Sequence, residues 1–413
     1  MKKQFLVIFL AVMVVFLLAA CGGGGTTSSS DTSATDNSSA ASAPAPATTD
    51  SSGSTAKTFK VGINSWVAGN FALDSIAGMA AKSYEALGFD VIQVNDEANV
   101  DKSVSNVQNL LTQGVDLIDF WGINQSLILT VADMCAQKQT AFILRDAFPD
   151  DPDIVAQLKA NPYFVGFCGG DNYQNGARMA QVIIDSGKYT KGIISGVDLG
   201  NSAQDGRCLG AQETFDKAGI TVLGTARPNS TSTEEIQTQC EDLLTSHQDA
   251  QFWYSAFLDC VTAGQQTIDN LHLNLDVYVS DINPTSIDAI KQGKYKLING
   301  YQWIAGVWNA ALAYNYLTGH PIKDADGNPP IIKDIKMIVV DQNSVDLFNK
   351  FFMQDVPYDA DYIKSLTYDV NPDNATYDHF VQECQACSLD TVLKMKEAQG
   401  LVTADELSKA GIS

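Results

Sequence analysis

The chain has 413 residues, a formal net charge of −22 at pH 7 and 18% charged residues. A protein this acidic is repelled by phosphate backbones and anionic headgroups, which excludes nucleic acid and a bare lipid surface as partners. Its length exceeds what one small core uses and suits two lobes.

Lys2 and Lys3 give a basic start, Phe5 to Ala20 is an unbroken apolar run, and the small residues Ala19 and Ala20 precede Cys21. A basic start and an apolar run too short to span a membrane comfortably read as an export signal. Leu18-Ala19-Ala20-Cys21 resembles the bacterial lipobox. The resemblance implies a leader over 1–20, a lipid on the Cys21 sulfur, and a chain held on the outer face of the cell membrane. An ordinary secretory signal with a chance cysteine, or an uncleaved anchor, are the alternatives. Gly22 to Ala56 holds no aromatic residue and almost no large aliphatic one. Such a segment is expected to be disordered, a tether of about 35 residues reaching roughly 30–35 Å.

From Phe59 the chain alternates β-type runs with helical spacing. Strands are expected at 59–64, 89–94, 115–120 and 140–144, with helices at 73–87, 100–113 and 127–138 between them. Residues 146–161, with four aspartates and two prolines, break the rhythm, and the acidic run 146–153 reads as a solvated loop in preference to a calcium site. It resumes with strands at 163–168, 192–195, 220–223, 250–254, 276–279 and 296–299, and helices at 173–186, 205–218, 233–246, 261–270, 286–292 and 304–317. A late strand is expected at 335–340. The pattern predicts an α/β fold of two doubly wound lobes with parallel sheets. The tail from Asp341 reads as helical and polar.

Catalytic signals are poor. His247, His272, His320 and His379 all lie away from strand ends, no Gly-x-Ser-x-Gly elbow is present, and no phosphate-cradling glycine loop opens a helix. Beyond Cys21 the cysteines are Cys135, Cys168, Cys208, Cys240, Cys260, Cys384 and Cys387. Cys384-x-x-Cys387 has no second pair, so a local disulfide or two free thiols is expected in preference to zinc. No metal, cofactor or catalytic residue is expected.

Ligands in open α/β sheets lie beyond the carboxyl ends of the strands. The residues there are Asn64, Trp66, Asn70 and Phe71; Trp121 and Asn124; Arg145 and Asp146; Asp198, Asn201 and Arg207; Tyr254 and Asp259; Asp281 and Asn283; Gln302 and Trp303. Three of the five tryptophans fall just past strands. Flat rings among directional polar groups suit a small polyhydroxylated molecule, whose C–H face stacks while its hydroxyls donate and accept. Tryptophans that merely plug the core under loops are the alternative.

Four motifs carry a further resemblance. Val165-Gly166-Phe167-Cys168-Gly169-Gly170-Asp171-Asn172-Tyr173-Gln174-Asn175-Gly176 is similar to a Val-Gly-x-Asp-Asn-x-x-x-Gly crossover, and Arg207-Cys-Leu-Gly210 to an Arg-x-x-Gly helix start. Leu243-Leu-Thr-Ser-His-Gln-Asp249 is similar to Leu-Leu-x-x-His-Pro-Asp, and Val279-Ser280-Asp281 to Gly-Phe-Asp. In this order, across roughly 58–340, they resemble the ribose-binding type of periplasmic sugar-binding protein of ABC transporters.

The resemblance implies the type I periplasmic binding protein fold, with lobes at 58–170 (returning at 303–335) and 171–302 (returning at 336–345). The segment 346–413 is left as a helical extension. It implies ligand contacts at Asn70, Phe71, Asp146, Asp281 and Gln302. Departures fall among those contacts: the Asn-Pro-Phe-Phe run is lost, with Trp66 a candidate replacement ring; Arg145 precedes Asp146 where the family has the reverse; and the family's Asn-Asp-Glu is lost near Leu258 and Asp259. The expected function is hinged capture of a small polar ligand, a sugar first, by a monomeric lipoprotein that delivers it to an ABC permease. A sensor with a signalling partner or a surface enzyme are the alternatives.

Overall fold

The computed structural model describes residues 57–122, 125–197, 201–228 and 232–412. The leader, Cys21, the tether, Asn124 and Asp198 lie outside the described residues.

The first elements are β1 (Lys60–Ser65), α1 (Phe71–Ala86), β2 (Asp90–Asn95), α2 (Val100–Thr112), β3 (Leu117–Phe120), α3 (Gln125–Lys138) and β4 (Ala141–Leu144). The strands form one parallel sheet in the order β2-β1-β3-β4. β3 and β4 are apolar apart from Asp119 and buried along their whole length, because helices cover both faces. The break in the rhythm at 146–161 holds a helix, α4 (Pro152–Ala160), which begins inside the acidic run expected as a loop at 146–153. Asp151 accepts hydrogen bonds from the Asp153 and Ile154 amides, and Pro152 occupies the first turn, where its missing N–H costs nothing. Aspartates and a proline read as a loop were a helix start. The strand expected at 163–168 shrinks to β5 (Phe167–Cys168).

The second sheet takes α5 (Asn172–Asp185), β6 (Lys191–Ser195), α6 (Ser202–Lys217), β7 (Thr221–Ala226), α7 (Thr233–Ser246), β8 (Phe252–Ser255), α8 (Leu258–Leu271), β9 (Asp276–Ser280), α9 (Pro284–Lys291) and β10 (Leu297–Gly300). A 3-10 turn (Gln302–Ala305) and α10 (Gly306–Leu317) then pack against α1. β11 (Ile331–Ile332) pairs with β5, and β12 (Ile338–Val340) joins the second sheet antiparallel to β10. That sheet runs β12-β10-β9-β8-β6-β7. Both sheets reverse winding after their first strand, at β1/β3 and at β6/β8, and so place two switch points for a ligand.

Helices α5 and α6 touch backbone to backbone. A Cβ on Gly210 would lie 2.0 Å from the Tyr173 carbonyl oxygen, and one on Gly176 would lie 2.0 Å from that of Arg207. The glycines of two sequence motifs are thus the two halves of one helix contact.

The tail is helical but not polar in its packing. It carries α11 (Val345–Phe348), a π-helical turn (Asn349–Met353), α12 (Ala360–Ser365), α13 (Tyr377–Ala386), α14 (Leu389–Ala398) and α15 (Ala404–Lys409). Phe348, Phe352, Phe380, Val392 and Leu393 from this segment are buried in the main core. Several of these helices are only four to six residues long, too short for a visible period, although α14 buries an i, i+3, i+4 set, Leu389, Val392 and Leu393. All seven described cysteines are free and buried. Burial pushes the Cys135 thiol up to about 12, so it packs as a small hydrophobe.

Gly210→Ala should lower stability by about 1–3 kcal/mol, because a backbone carbonyl cannot retreat as a flexible side chain can. Gly78→Ala, on α1 with open space around its would-be Cβ, should be neutral or stabilising. Equal melting temperatures for Gly210→Ala and the parent protein would refute the close contact.

Candidate functional site

The carboxyl ends of β1, β3 and β4 meet in a buried polar network. Arg145 is 2% exposed; its guanidinium binds the Asp119 carboxylate and the Asn64 carbonyl. The Tyr84 hydroxyl donates to the other Asp119 oxygen at 2.9 Å. Asn64 Nδ2 donates to Asp96 at 2.7 Å and to the Trp121 carbonyl at 3.0 Å, while Asn64 Oδ1 accepts from the Trp121 amide at 2.7 Å. Asn106 secures the other oxygen of Asp96 at 2.8 Å. Burial raises the Asp119 carboxyl, and Arg145 and Tyr84 pull it back. Asn64 and Arg145, both expected to touch ligand, are turned into the body of the protein. Their partners tie the switch point together.

Asp146 follows in the left-handed region, φ +61°, a conformation that strains a non-glycine residue. Its carboxylate accepts from Trp121 Nε1 at 3.3 Å. Burial raises its pKa, countered first by that hydrogen bond and then by Arg207 and Arg145. Arg207 belongs to α6 on the other sheet, so the two sheets' strand ends face one another here.

Arg207 is 4% exposed. Its Nε donates to Asn172 Oδ1 at 3.1 Å, and Nη1 lies 3.9 Å from Asp281 Oδ1. The α5/α6 glycine contact bears on the Arg207 backbone itself, which seats this guanidinium. Asp281, just past β9, accepts from the Leu258 amide at the start of α8. Its carboxyl is pushed up to about 6, chiefly by burial, with Arg207 opposing and Asp259 and Asp146 adding repulsion. Asp146, Arg207, Asp281 and Asp259 therefore act on one another electrostatically, with the half-buried Trp121 ring bound to Asp146 on the first-sheet side.

Several other expected contacts do structural work. Asn70 accepts from the Leu73 amide at 3.1 Å and caps α1; Asn283 accepts from Ser286 at 2.9 Å in a capping box on α9; Asn201 caps α6. An asparagine after a strand in a βα unit is what a helix N-terminus requires. Tyr254 is fully buried with its hydroxyl 2.8 Å from that of Ser280. Phe71 and Trp303 meet edge to face at 6.1 Å. Together with Tyr301, Phe352 and Asp355 they line a separate hollow of about 530 Å³ walled by the tail. Gln302 Oε1 is buried without a partner. Sequence reasoning missed Asp119 and Tyr84, though a lone aspartate inside an apolar strand was a signal that something must neutralise it.

A family model described as a periplasmic binding protein domain matches residues 62–321. The chain belongs to that family. The match leaves the whole tail from Asp341 outside it. No curated protein sequence matches the chain. Among solved structures, a periplasmic ribose ABC transporter protein from Conexibacter woesei shares 20% identity at a TM-score of 0.60, covering 72% of this chain and 97% of that one. A periplasmic solute-binding protein from Actinobacillus succinogenes with bound D-allose shares 17% at 0.60, covering 70% and 100%. One from Bacillus halodurans with bound myo-inositol shares 16% at 0.57, covering 71% and 98%. Likeness at these identities establishes the fold, the type I periplasmic binding protein fold of two α/β lobes. Among the described residues no helix is long and apolar enough to cross a membrane, and no group of three or more His, Cys, Asp or Glu converges to hold a metal ion.

Two measurements probe this description. Arg145→Met should cost about 3–5 kcal/mol in urea unfolding, the penalty for stranding the buried Asp119 charge, and adding Asp119→Leu should recover much of it. A single variant within about 1 kcal/mol of the parent would contradict the network. For Asp281, a carboxyl whose folded pKa is raised binds its proton more tightly folded than unfolded. The stability it contributes is present below 3.8, the ordinary value, and is lost as pH rises through about 6. In thermal melts the parent should gain on Asp281→Asn as pH is lowered through that window. Parallel pH profiles would show that Asp281 is not desolvated.

Proposed function

We propose that this protein is an extracytoplasmic solute receptor that captures a small polyhydroxylated ligand, a sugar first, between its lobes and delivers it to an ABC importer. The carrying observation is that Asp146 of one sheet, hydrogen-bonded to the Trp121 ring, lies within electrostatic reach of Arg207 on the other, which stands 3.9 Å from Asp281. Groups on two lobes that complement one small molecule gain their full interaction only when the lobes close, so ligand favours the closed form. Carboxylates and a guanidinium accept from and donate to hydroxyls, and the ring takes the C–H face. The bound ligands named for the D-allose and myo-inositol structures are of this class. A lipid on Cys21, with the tether behind it, would keep such a receptor near its permease. The group has no histidine, and its carboxylates are engaged with an amide, a ring N–H and a guanidinium, which favours binding over turnover.

A panel of monosaccharides and polyols tests the reading. A true ligand should change tryptophan fluorescence through Trp121 and raise the melting temperature by mass action. Arg207→Ala should abolish both responses. A ligand that still binds that variant with parental affinity, or a panel that moves neither signal, would overturn the assignment.

A further inference from the structure

The hollow of about 530 Å³ beside Phe71 and Trp303 shares no lining residue with the Asp146, Arg207 and Asp281 group, and its volume falls in the range of small-molecule sites. One face of α1 forms the first wall, where Phe71, Asp74, Gly78, Met79 and Lys82 recur at helical spacing. Pro284, at the start of α9, comes from the second sheet. The buried rings of Tyr301, Trp303 and Phe352 line it from within. The last wall is the π-helical turn Asn349–Met353, continued by Gln354 and Asp355. Such turns are rare and recur at functional sites. The family match covers residues 62–321, so this last wall is an addition of this chain to the family domain.

Two features of the walls point to a ligand. Gly78 lies in the middle of α1, where glycine weakens a helix relative to alanine. Its would-be Cβ meets nothing within 4 Å, so no neighbour in the fold requires the missing side chain, and the space faces the hollow. A molecule seated there would require it. Phe71 is a large ring left 38% exposed, edge to face with Trp303 at 6.1 Å, while Tyr301 lies tilted 4.6 Å from Trp303 on the inner side. Rings so arranged receive a further ring edge-on or offset. The thioethers of Met79 and Met353 adapt to a flat apolar surface. Lys82, Gln354 and Asp355 are exposed, so a polar group on the ligand is served on the water-facing side. We infer that the hollow is a second ligand site, which takes a flat aromatic molecule carrying a polar group at one end. The inference does not rest on the receptor reading and uses none of the cleft residues that carry it.

The experiment titrates the full chain, isotope-labelled at its methionine methyls, with indole and with p-cresol, and uses cyclohexanol as the non-aromatic control. In calorimetry at least one aromatic should bind about ten times or more tightly than cyclohexanol, and the Met79 and Met353 methyl signals should shift with the same midpoint. Gly78→Leu places the side chain of a good helix former in the hollow. It should keep the melting temperature of the parent and weaken aromatic binding at least about tenfold, with Gly78→Ala, one methyl larger than the parent, falling between. Should Gly78→Leu fold poorly, the Gly78→Ala reading and the methionine signals of the parent decide the matter. Parental affinity in a folded Gly78→Leu, or methionine shifts that spare Met79 and Met353, overturns the site. Equal binding of cyclohexanol overturns the aromatic class, and silence with both aromatics overturns the inference. None of these outcomes touches the sugar panel, whose failure would count against the receptor reading alone.

Discussion

The first lobe depends on an ion pair that water cannot reach. Arg145 and Asp119 sit at 2% and 0% exposure, where an unpaired charge would cost several kcal/mol. The pair is tolerable because its remaining valences are filled: Tyr84 donates to Asp119, and the Asn64 carbonyl takes a second guanidinium nitrogen. The Asn64 side chain then ties β1 to the residues leaving β2 and β3. Three strand ends are thus held in register by side chains, where a sheet would otherwise fray. Asp146 and Trp121 emerge from that fixed edge, so the geometry they present is inherited from the pair beneath them.

The βα rhythm was legible because buried parallel strands and amphipathic helices impose different periods, and the order of elements through α10, α4 apart, follows from it. The second-sheet motifs were legible for a related reason. Gly176 and Gly210 stand where a side chain has no room, so the residue type reports the contact. Strand-end polarity was less informative. Asn70, Asn201 and Asn283 satisfy helix amides, and only their neighbours in space separate that role from ligand recognition. Arg145 was misread because sequence order does not say which way a side chain turns once the strand has ended.

The tail was opaque for a different reason. Its helices are short, and much of what fixes them lies far back in the chain, before the tail begins. Tyr301, in the left-handed region at φ +67°, donates its hydroxyl to the Phe352 carbonyl and packs on the rings of Phe348 and Phe352. Asn315 on α10 donates to the Leu366 carbonyl at 3.0 Å and accepts from the Tyr368 amide at 2.7 Å. Lys291 of α9 pairs with Asp346 at 2.7 Å. No local window of sequence contains both halves of any of these contacts.

Those contacts make the tail a further passage between the lobes. The chain moves from the first sheet to the second through α5, returns through the 3-10 turn to α10, and goes back at β12. From α11, held by Lys291, it crosses once more to α12 on α1 and α10. Each added crossing removes relative rotational freedom from two bodies that must align to share one small molecule. Freedom already removed by the covalent chain is not lost again when a ligand bridges the lobes. In the proposed receptor the tail would act as pre-organisation, narrowing the range of open states and lowering the entropy that closure must overcome.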